Sequence, residues 1–140
     1  MRIGVFVCHC GSNIEGTVDT AAVAKSALLL PEVFWATDTM YACSEPGQNE
    51  IIQAIREKRL NGIVVASCSP RMHELTFRRA VERAGVNRYL FEMANIREHV
   101  SWISKDRVAN TNKAAELVRM AVAKLRLNFP LYSNKFDISK

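Results

Sequence analysis

The chain has 140 residues, of which 49% are hydrophobic and 24% charged, as in an ordinary globular domain. A chain of this length buries roughly two-thirds of its unfolded surface, which supports a core without disulfide bonds. The sequence has no uninterrupted apolar run of the ~18 residues that a membrane span needs. Its first residues lead into Cys8-His9-Cys10 rather than a signal-peptide cleavage site. We therefore expect a single cytoplasmic domain without a membrane span.

The basic excess does not indicate a nucleic-acid-binding protein. Lys and Arg number 19 against 14 Asp and Glu, which gives a formal net charge of +5. The basic clusters at 56–59 and 78–83 are interrupted by Glu57 and Glu82, and such mixing is typical of solvated helix faces. We expect no nucleic-acid partner.

The first half of the chain predicts two strands that are each followed by a helix. Apolar runs bounded by Gly, Ser, Asn and Pro indicate the strands, and apolar residues at helical spacing indicate the helices. Asp19 or Thr17 can cap the first helix, and Pro31 ends it. The elements in chain order are a strand at 2–8, a helix from about 19 to 29, a strand at 33–37, a loop at 38–47 and a helix that closes at Asn61-Gly62.

The second half continues the same alternation. Its elements are a strand at 63–66, a helix at 74–84, a strand at 89–93, a short helix at 96–103 and a long helix at 109–127. One face of the long helix is apolar: Ala114, Leu117, Val118, Ala121, Val122 and Leu125. Six aromatic side chains are expected in the core: Phe6, Trp35, Phe77, Tyr89, Phe91 and Trp102. Residues 131–140 lack the periodic spacing of apolar residues that indicates a packed helix or strand, and they are therefore interpreted as a linker or an arm.

Four alternations of strand and helix require right-handed crossovers and a parallel sheet that is covered on both faces. We therefore predict a three-layer α/β domain, Rossmann- or flavodoxin-like, with a four-stranded parallel sheet over residues 1–130. Residues 131–140 would lie outside it.

All four cysteines follow predicted strands. Cys8 and Cys10 come at the end of the first strand, Cys43 follows the second and Cys68 the third. Because the carboxyl ends of parallel strands meet at one edge, where ligands bind near the switch in strand order, we expect these thiols to converge. This convergence is the main functional clue.

Several explanations of the cysteines remain open. Core thiols are common, whereas structural disulfides are not expected in a reducing cytosol. Thiolate-only sites suit zinc or an iron–sulfur cluster. The spacing, C-x-C followed by 32 and then 24 intervening residues, matches neither a structural zinc motif nor a ferredoxin motif. If a cluster binds, the backbone N–H groups of Gly11, of Gly47 and at the helix starts could donate to its sulfides.

A thiol enzyme is a third hypothesis, since Cys68 precedes a predicted helix and His73 lies nearby in the sequence. A phosphatase-type loop is excluded because no Arg stands six residues after any cysteine that opens a loop. The sequence also lacks a glycine-rich nucleotide motif. His9 or His73 could replace Cys43 as a fourth ligand. Arg71 and Arg97 hold equivalent places after the third and fourth strands.

Four motifs in order resemble the amino-terminal domain of the heterodisulfide reductase A subunit, an iron–sulfur flavoprotein family. They are Val7-Cys8-His9-Cys10-Gly11, Cys43-Ser44-Glu45-Pro46-Gly47-Gln48, the segment from Ala66 to Arg78, and the segment from Phe91 to His99. The match covers about residues 2–131.

The resemblance implies that Cys8, Cys10, Cys43 and Cys68 bind one [4Fe-4S] cluster, and that residues 1–130 form an electron-transfer domain of a heterodisulfide-reductase-type oxidoreductase. FAD is expected only on a partner module, toward which residues 131–140 would lead, and this chain alone is not expected to be catalytic. Other subunits of such a complex, or a second copy in a homodimer, are the expected partners. The alternative is a non-redox assembly domain with zinc-bound or free cysteines.

Overall fold

The computed structural model of the protein describes residues 1–139, and within them four β-strands alternate with four α-helices. The strands β1 to β4 span Ile3–Cys8, Val33–Thr39, Gly62–Ser67 and Phe91–Asn95. The helices α1 to α4 span Thr20–Ala27, Glu45–Lys58, Pro70–Arg83 and Arg107–Leu125, and a short π-helix at Arg97–Ser101 precedes α4. The predicted alternation is confirmed.

The four strands form one parallel sheet with the order β2-β1-β3-β4. Every residue of the two central strands, β1 and β3, is buried. Helices α1 and α4 pack against each other, as do α2 and α3, so the helices form two layers around the sheet. The three-layer α/β fold with a four-stranded parallel sheet is confirmed.

The predicted apolar face of α4 is buried against the sheet, with Leu117 at its partly buried margin. Phe6, Phe77 and Phe91 are among the largest fully buried side chains. The expectation for Trp102 is wrong, because this side chain is 59% exposed. It directly follows the π-helix, and its ring lies against the Arg97 guanidinium rather than in the core.

Two helices begin earlier than predicted because a serine caps each of them. Ser69 Oγ accepts the backbone N–H of Arg71, and α3 starts at Pro70 rather than at residue 74. Ser44 Oγ accepts the N–H of Gly47 at 3.2 Å, so α2 starts inside the predicted loop 38–47. Both caps place a helix N-terminus directly after a cysteine.

Two other boundaries shift for local backbone reasons. Helix α2 ends at Lys58, because the next residue, Arg59, adopts a left-handed conformation with φ 53°, and Gly62 opens β3 instead of closing the helix. Strand β4 starts two residues later than predicted because Asn87 closes a turn through Leu90, whose N–H donates to the Asn87 carbonyl.

The chain after α4 forms neither helix nor strand up to residue 139. Asn87 Nδ2 donates to the Leu131 carbonyl at 2.8 Å. Several apolar side chains near the tail are exposed, and they include Tyr132 and Phe136. Residue 140 of the predicted arm lies outside the described residues. Among residues 1–139, no helix is both long and apolar enough to cross a membrane.

Candidate functional site

The strand order reverses between β1 and β3, which creates a crevice at their carboxyl ends. From β1 the chain runs outward to β2, and from β3 it runs the other way to β4. Cys8 is the last residue of β1, and Cys68 directly follows β3. These two cysteines therefore flank the switch point of the sheet.

The Cys8 thiol joins the loops that follow β1 and β2. Its sulfur is buried and accepts two backbone N–H groups at 3.3 Å, from Cys10 and from Ala42. Burial raises the pKa of the Cys8 thiol, the two hydrogen bonds oppose this, and the charges of Cys10 and Cys43 raise the pKa further. Two other predicted ligands thus act electrostatically on the Cys8 thiol.

Cys10 lies on a sharp backbone turn at the edge of the crevice. Cys10 and Gly11 both adopt positive φ angles, 50° and 61°. The positive φ of Gly11 favours glycine, and a Cβ atom there would also press on the Tyr41 hydroxyl, at the end of that side chain. The half-buried Cys10 sulfur accepts a hydrogen bond from Arg97 Nη1 at 3.2 Å.

Cys43 lies in the loop between β2 and α2, and two residues of α2 fix this loop. Gln48 Nε2 donates to the Cys43 carbonyl at 2.8 Å. At Gly47 a Cβ atom would lie 2.8 Å from both Cα and the carbonyl oxygen of Ala42, so the helix and loop backbones approach each other too closely for any side chain.

Replacing Gly47 by Ala is expected to destabilise the domain by about 1–3 kcal/mol, because the added methyl group must push the backbone of Ala42 away. The amide resonances of Ala42 and Cys43 should shift in an NMR spectrum of the metal-free protein, and denaturant unfolding gives the free energy. Asn49→Ala, at an exposed position two residues further along α2, is the control and should change stability by less than about 0.5 kcal/mol. Equal stability of the two variants would contradict the close approach.

Cys68 is buried at the opposite side of the crevice. Burial raises the pKa of its thiol, the Arg97 cation acts to lower that pKa, and the charges of Glu98 and Cys10 raise it. A thiol with a raised pKa is a poor nucleophile at neutral pH. The His73 ring packs edge-on against Phe77, with centroids 6.4 Å apart. These observations disfavour a thiol enzyme based on Cys68 and His73.

Arg97 and Glu98 connect the Cys68 loop with the Cys10 loop. Glu98 Oε2 accepts the backbone N–H of Ser69 at 2.8 Å, and Glu98 Oε1 accepts from Arg97 Nη2 at 2.7 Å. Arg71, by contrast, is exposed on α3. Glu98 was not predicted as a site residue; its position next to Arg97 was visible in the sequence, but its contact with Ser69, 29 residues away, was not.

The backbone N–H groups of Gly11 and Gly47, which were weighed as donors to cluster sulfides, have hydrogen-bond partners within the protein. The Gly11 N–H donates to the Met40 carbonyl at 3.2 Å, and the Gly47 N–H donates to the Ser44 hydroxyl. The loops use both amides to close their own turns. The N–H groups directed at sulfur are those of Cys10 and Ala42.

The histidines weighed as replacements for Cys43 have other partners. His9 Nε2 lies 2.5 Å from Asp38 Oδ2 on the neighbouring strand β2. His73 lies on α3 against Phe77, and His99 is exposed in the π-helix.

The residues at this edge fit a sulfur-rich anionic group. No three Cys, His, Asp or Glu side chains of residues 1–139 are grouped closely enough to hold one metal ion. An iron–sulfur cluster holds its thiolates further apart than a single ion does, because irons and sulfides lie between them. The buried Ser67 hydroxyl beside Cys68 has no hydrogen-bond partner in the described part of the chain. An acceptor sulfide at this edge could satisfy it, and the Arg97 cation would balance negative charge.

Comparison with known proteins identifies the family. No protein-family model matches the chain. It is 56% identical over 138 residues to the A subunit of the H2:CoB–CoM heterodisulfide, ferredoxin reductase of Methanothermobacter marburgensis, which is 98% of this chain and 21% of that protein. It is 57% identical over 139 residues to an iron–sulfur A subunit of the CoB–CoM heterodisulfide reductase of Methanopyrus kandleri, covering 99% of this chain and 21% of the relative.

A protein of Archaeoglobus profundus, named as like the A subunit of heterodisulfide reductase, is 48% identical over 140 residues, which is 99% of this chain and 20% of the relative. The chain spans about one fifth of the length of these relatives. At this level of identity over nearly all of its residues, the chain belongs to the family of heterodisulfide reductase A subunits.

Proposed function

We propose that this chain is an electron-transfer domain that binds one [4Fe-4S] cluster through Cys8, Cys10, Cys43 and Cys68. The observation that carries the proposal is that four free thiols lie at or follow the carboxyl ends of β1, β2 and β3, which lie at one edge of a parallel sheet. Relatives that are named iron–sulfur subunits support it. A bound cluster would supply a one-electron couple.

The four cysteines would hold the cluster asymmetrically. Cys8 and Cys68 are buried at the ends of the central strands, whereas Cys10 and Cys43 are half-buried on loops. The inner side would thus be shielded from water by the sheet, and the outer side would lie near the surface. Electron exchange needs proximity and orientation rather than a catalytic acid or base, so this chain alone need not act on a substrate.

Met40, Tyr41 and Trp102 lie beside the site, and each side chain is about half exposed or more. The Met40 carbonyl accepts the Gly11 N–H, the Tyr41 hydroxyl lies near Gly11, and the Trp102 ring lies against Arg97. Exposed apolar groups beside a redox centre suit docking of a partner. The partner in this proposal is a flavin-containing module that carries FAD, within a heterodisulfide-reductase-type complex in the cytoplasm. Residues 1–130 would be the cluster domain and residues 131–139 an arm toward that module.

Anaerobic purification followed by iron, sulfide and zinc analysis tests the proposal. We expect about four irons and four sulfides per chain, and a visible absorption band that dithionite bleaches. Stoichiometric zinc would instead indicate an assembly domain with a structural metal. A metal-free protein that does not take up iron and sulfide on reconstitution would also overturn the proposal.

A further inference from the structure

The Arg97 side chain contacts three other side chains at the edge of the cysteine site. It is only 14% exposed. Its Nη1 donates to Cys10 Sγ at 3.2 Å, and its Nε and Nη2 both donate to Glu98 Oε1, at 3.1 and 2.7 Å. The face of the guanidinium lies 4.7 Å from the centroid of the Trp102 ring. These contacts fix one orientation of the cation toward Cys10.

Glu98 is in turn anchored by backbone contacts. Its Oε2 accepts the Ser69 N–H at 2.8 Å, and its own N–H donates to Asn95 Oδ1 at 3.0 Å. Burial alone would raise the pKa of Glu98, but the hydrogen bonds from Arg97 and Ser69 hold it below its ordinary value. Both residues lie in the π-helix, a widened turn that is common at functional sites. The Arg97 cation is therefore positioned by the fold itself.

We propose that Arg97 is a positioning residue that raises the reduction potential of the cluster bound by the four cysteines, an inference that rests on the proposed function. The cluster gains one negative charge when it accepts one electron from a reduced donor, which is oxidised by one electron. A cation and an N–H···S hydrogen bond at Cys10 stabilise the reduced form more than the oxidised form. No bond or proton of Arg97 changes in this step.

Arg71 provides a matched control for the effect of charge alone. It lies in the first turn of α3, at the same edge of the sheet, but its side chain is exposed. Salt screens an exposed charge at this edge far more than a partly buried cation in direct contact with sulfur. Removing either arginine changes the net charge equally, so a difference between the two variants reports the burial and contacts of Arg97 rather than the change in net charge.

The test is an anaerobic redox titration of the full chain after cluster reconstitution, with iron content measured for each variant. At a fixed solution potential, Arg97→Gln should lower the ratio of reduced to oxidised cluster about tenfold, which corresponds to about 59 mV for a one-electron couple. Arg97→Lys keeps the charge but loses the planar guanidinium group with its several N–H donors. The ratio of reduced to oxidised cluster in this variant should therefore lie between those of the wild type and the Gln variant. Arg71→Gln should differ little from the wild type, and any difference should vanish at high salt.

Two results would overturn the inference while the proposed function stands. One is an Arg97→Gln variant with full iron content whose ratio of reduced to oxidised cluster equals that of the wild type. The other is an equal change of this ratio in Arg71→Gln. If the Gln variant does not load, a wild-type ratio in the loaded Arg97→Lys variant overturns it as well. A wild-type protein that takes up no iron would overturn the proposed function, and this inference with it.

Discussion

Replacing Cys8 by Ala is expected to abolish the four-iron stoichiometry and also to destabilise the metal-free domain. The sulfur accepts the buried N–H of Ala42 and the N–H of Cys10, and alanine offers no acceptor. An unsatisfied buried N–H costs about 1–3 kcal/mol. Iron analysis after reconstitution and denaturant unfolding of the metal-free protein measure the two effects separately.

Cys8→Ser is the matched control, because its hydroxyl oxygen can still accept a backbone N–H. The serine variant should stay closer to the wild type in metal-free stability than the alanine variant, and it should still lose iron. A full iron content in Cys8→Ala would remove Cys8 from the proposed ligand set. Equal stability of the two variants would show that the N–H···S contacts contribute little to folding.

Replacing Phe91 by Ala should cost about 3–5 kcal/mol of unfolding free energy, because a large side chain leaves a cavity in a well-packed core. Phe91 is 1% exposed at the start of β4. Its ring lies 6.2 Å from that of Phe77, centroid to centroid, and the Arg78 guanidinium lies 5.2 Å from its centroid. Denaturant unfolding of the metal-free protein measures the loss.

Phe34→Ala is the control for Phe91→Ala, since Phe34 lies on the edge strand β2 and is 54% exposed. Its main described contact is the Arg2 guanidinium, 4.1 Å from the ring centroid. An exposed cation–π pair contributes about 0.5–1 kcal/mol. Comparable losses in the two variants would contradict the assignment of Phe91 to the core.

The layered fold could be predicted because it follows from local patterns. Apolar runs and helical spacing identify each element, and the alternation allows few topologies other than a parallel sheet. Helix starts were less predictable. Ser44 and Ser69 cap α2 and α3, but the residues after them, among them Pro46 and Pro70, resemble a loop when the cap is not recognised.

The edge on which the cysteines lie was predictable, whereas their environment was not. Cys8 and Cys68 lie where the predicted strand ends place them, because Cys8 is the last residue of β1 and Cys68 directly follows β3. The N–H of Ala42 reaches the Cys8 sulfur from 34 residues away, and Arg97 reaches Cys10 from 87 residues away. Contacts of that range depend on how the loops pack on the finished sheet, which no local pattern specifies.

The two central strands also determine which cysteines can move away from the site without unfolding of the whole domain. Every residue of β1 and β3 is buried, so the backbone that carries Cys8 and adjoins Cys68 is released only when the whole domain unfolds. The turn with Cys10 and the loop with Cys43 lie outside the sheet and can detach in smaller, faster fluctuations. For any group held by all four thiols, attack by oxygen or a chelator would therefore begin on the loop side. Its lifetime would follow the frequency of local opening rather than the rate of global unfolding.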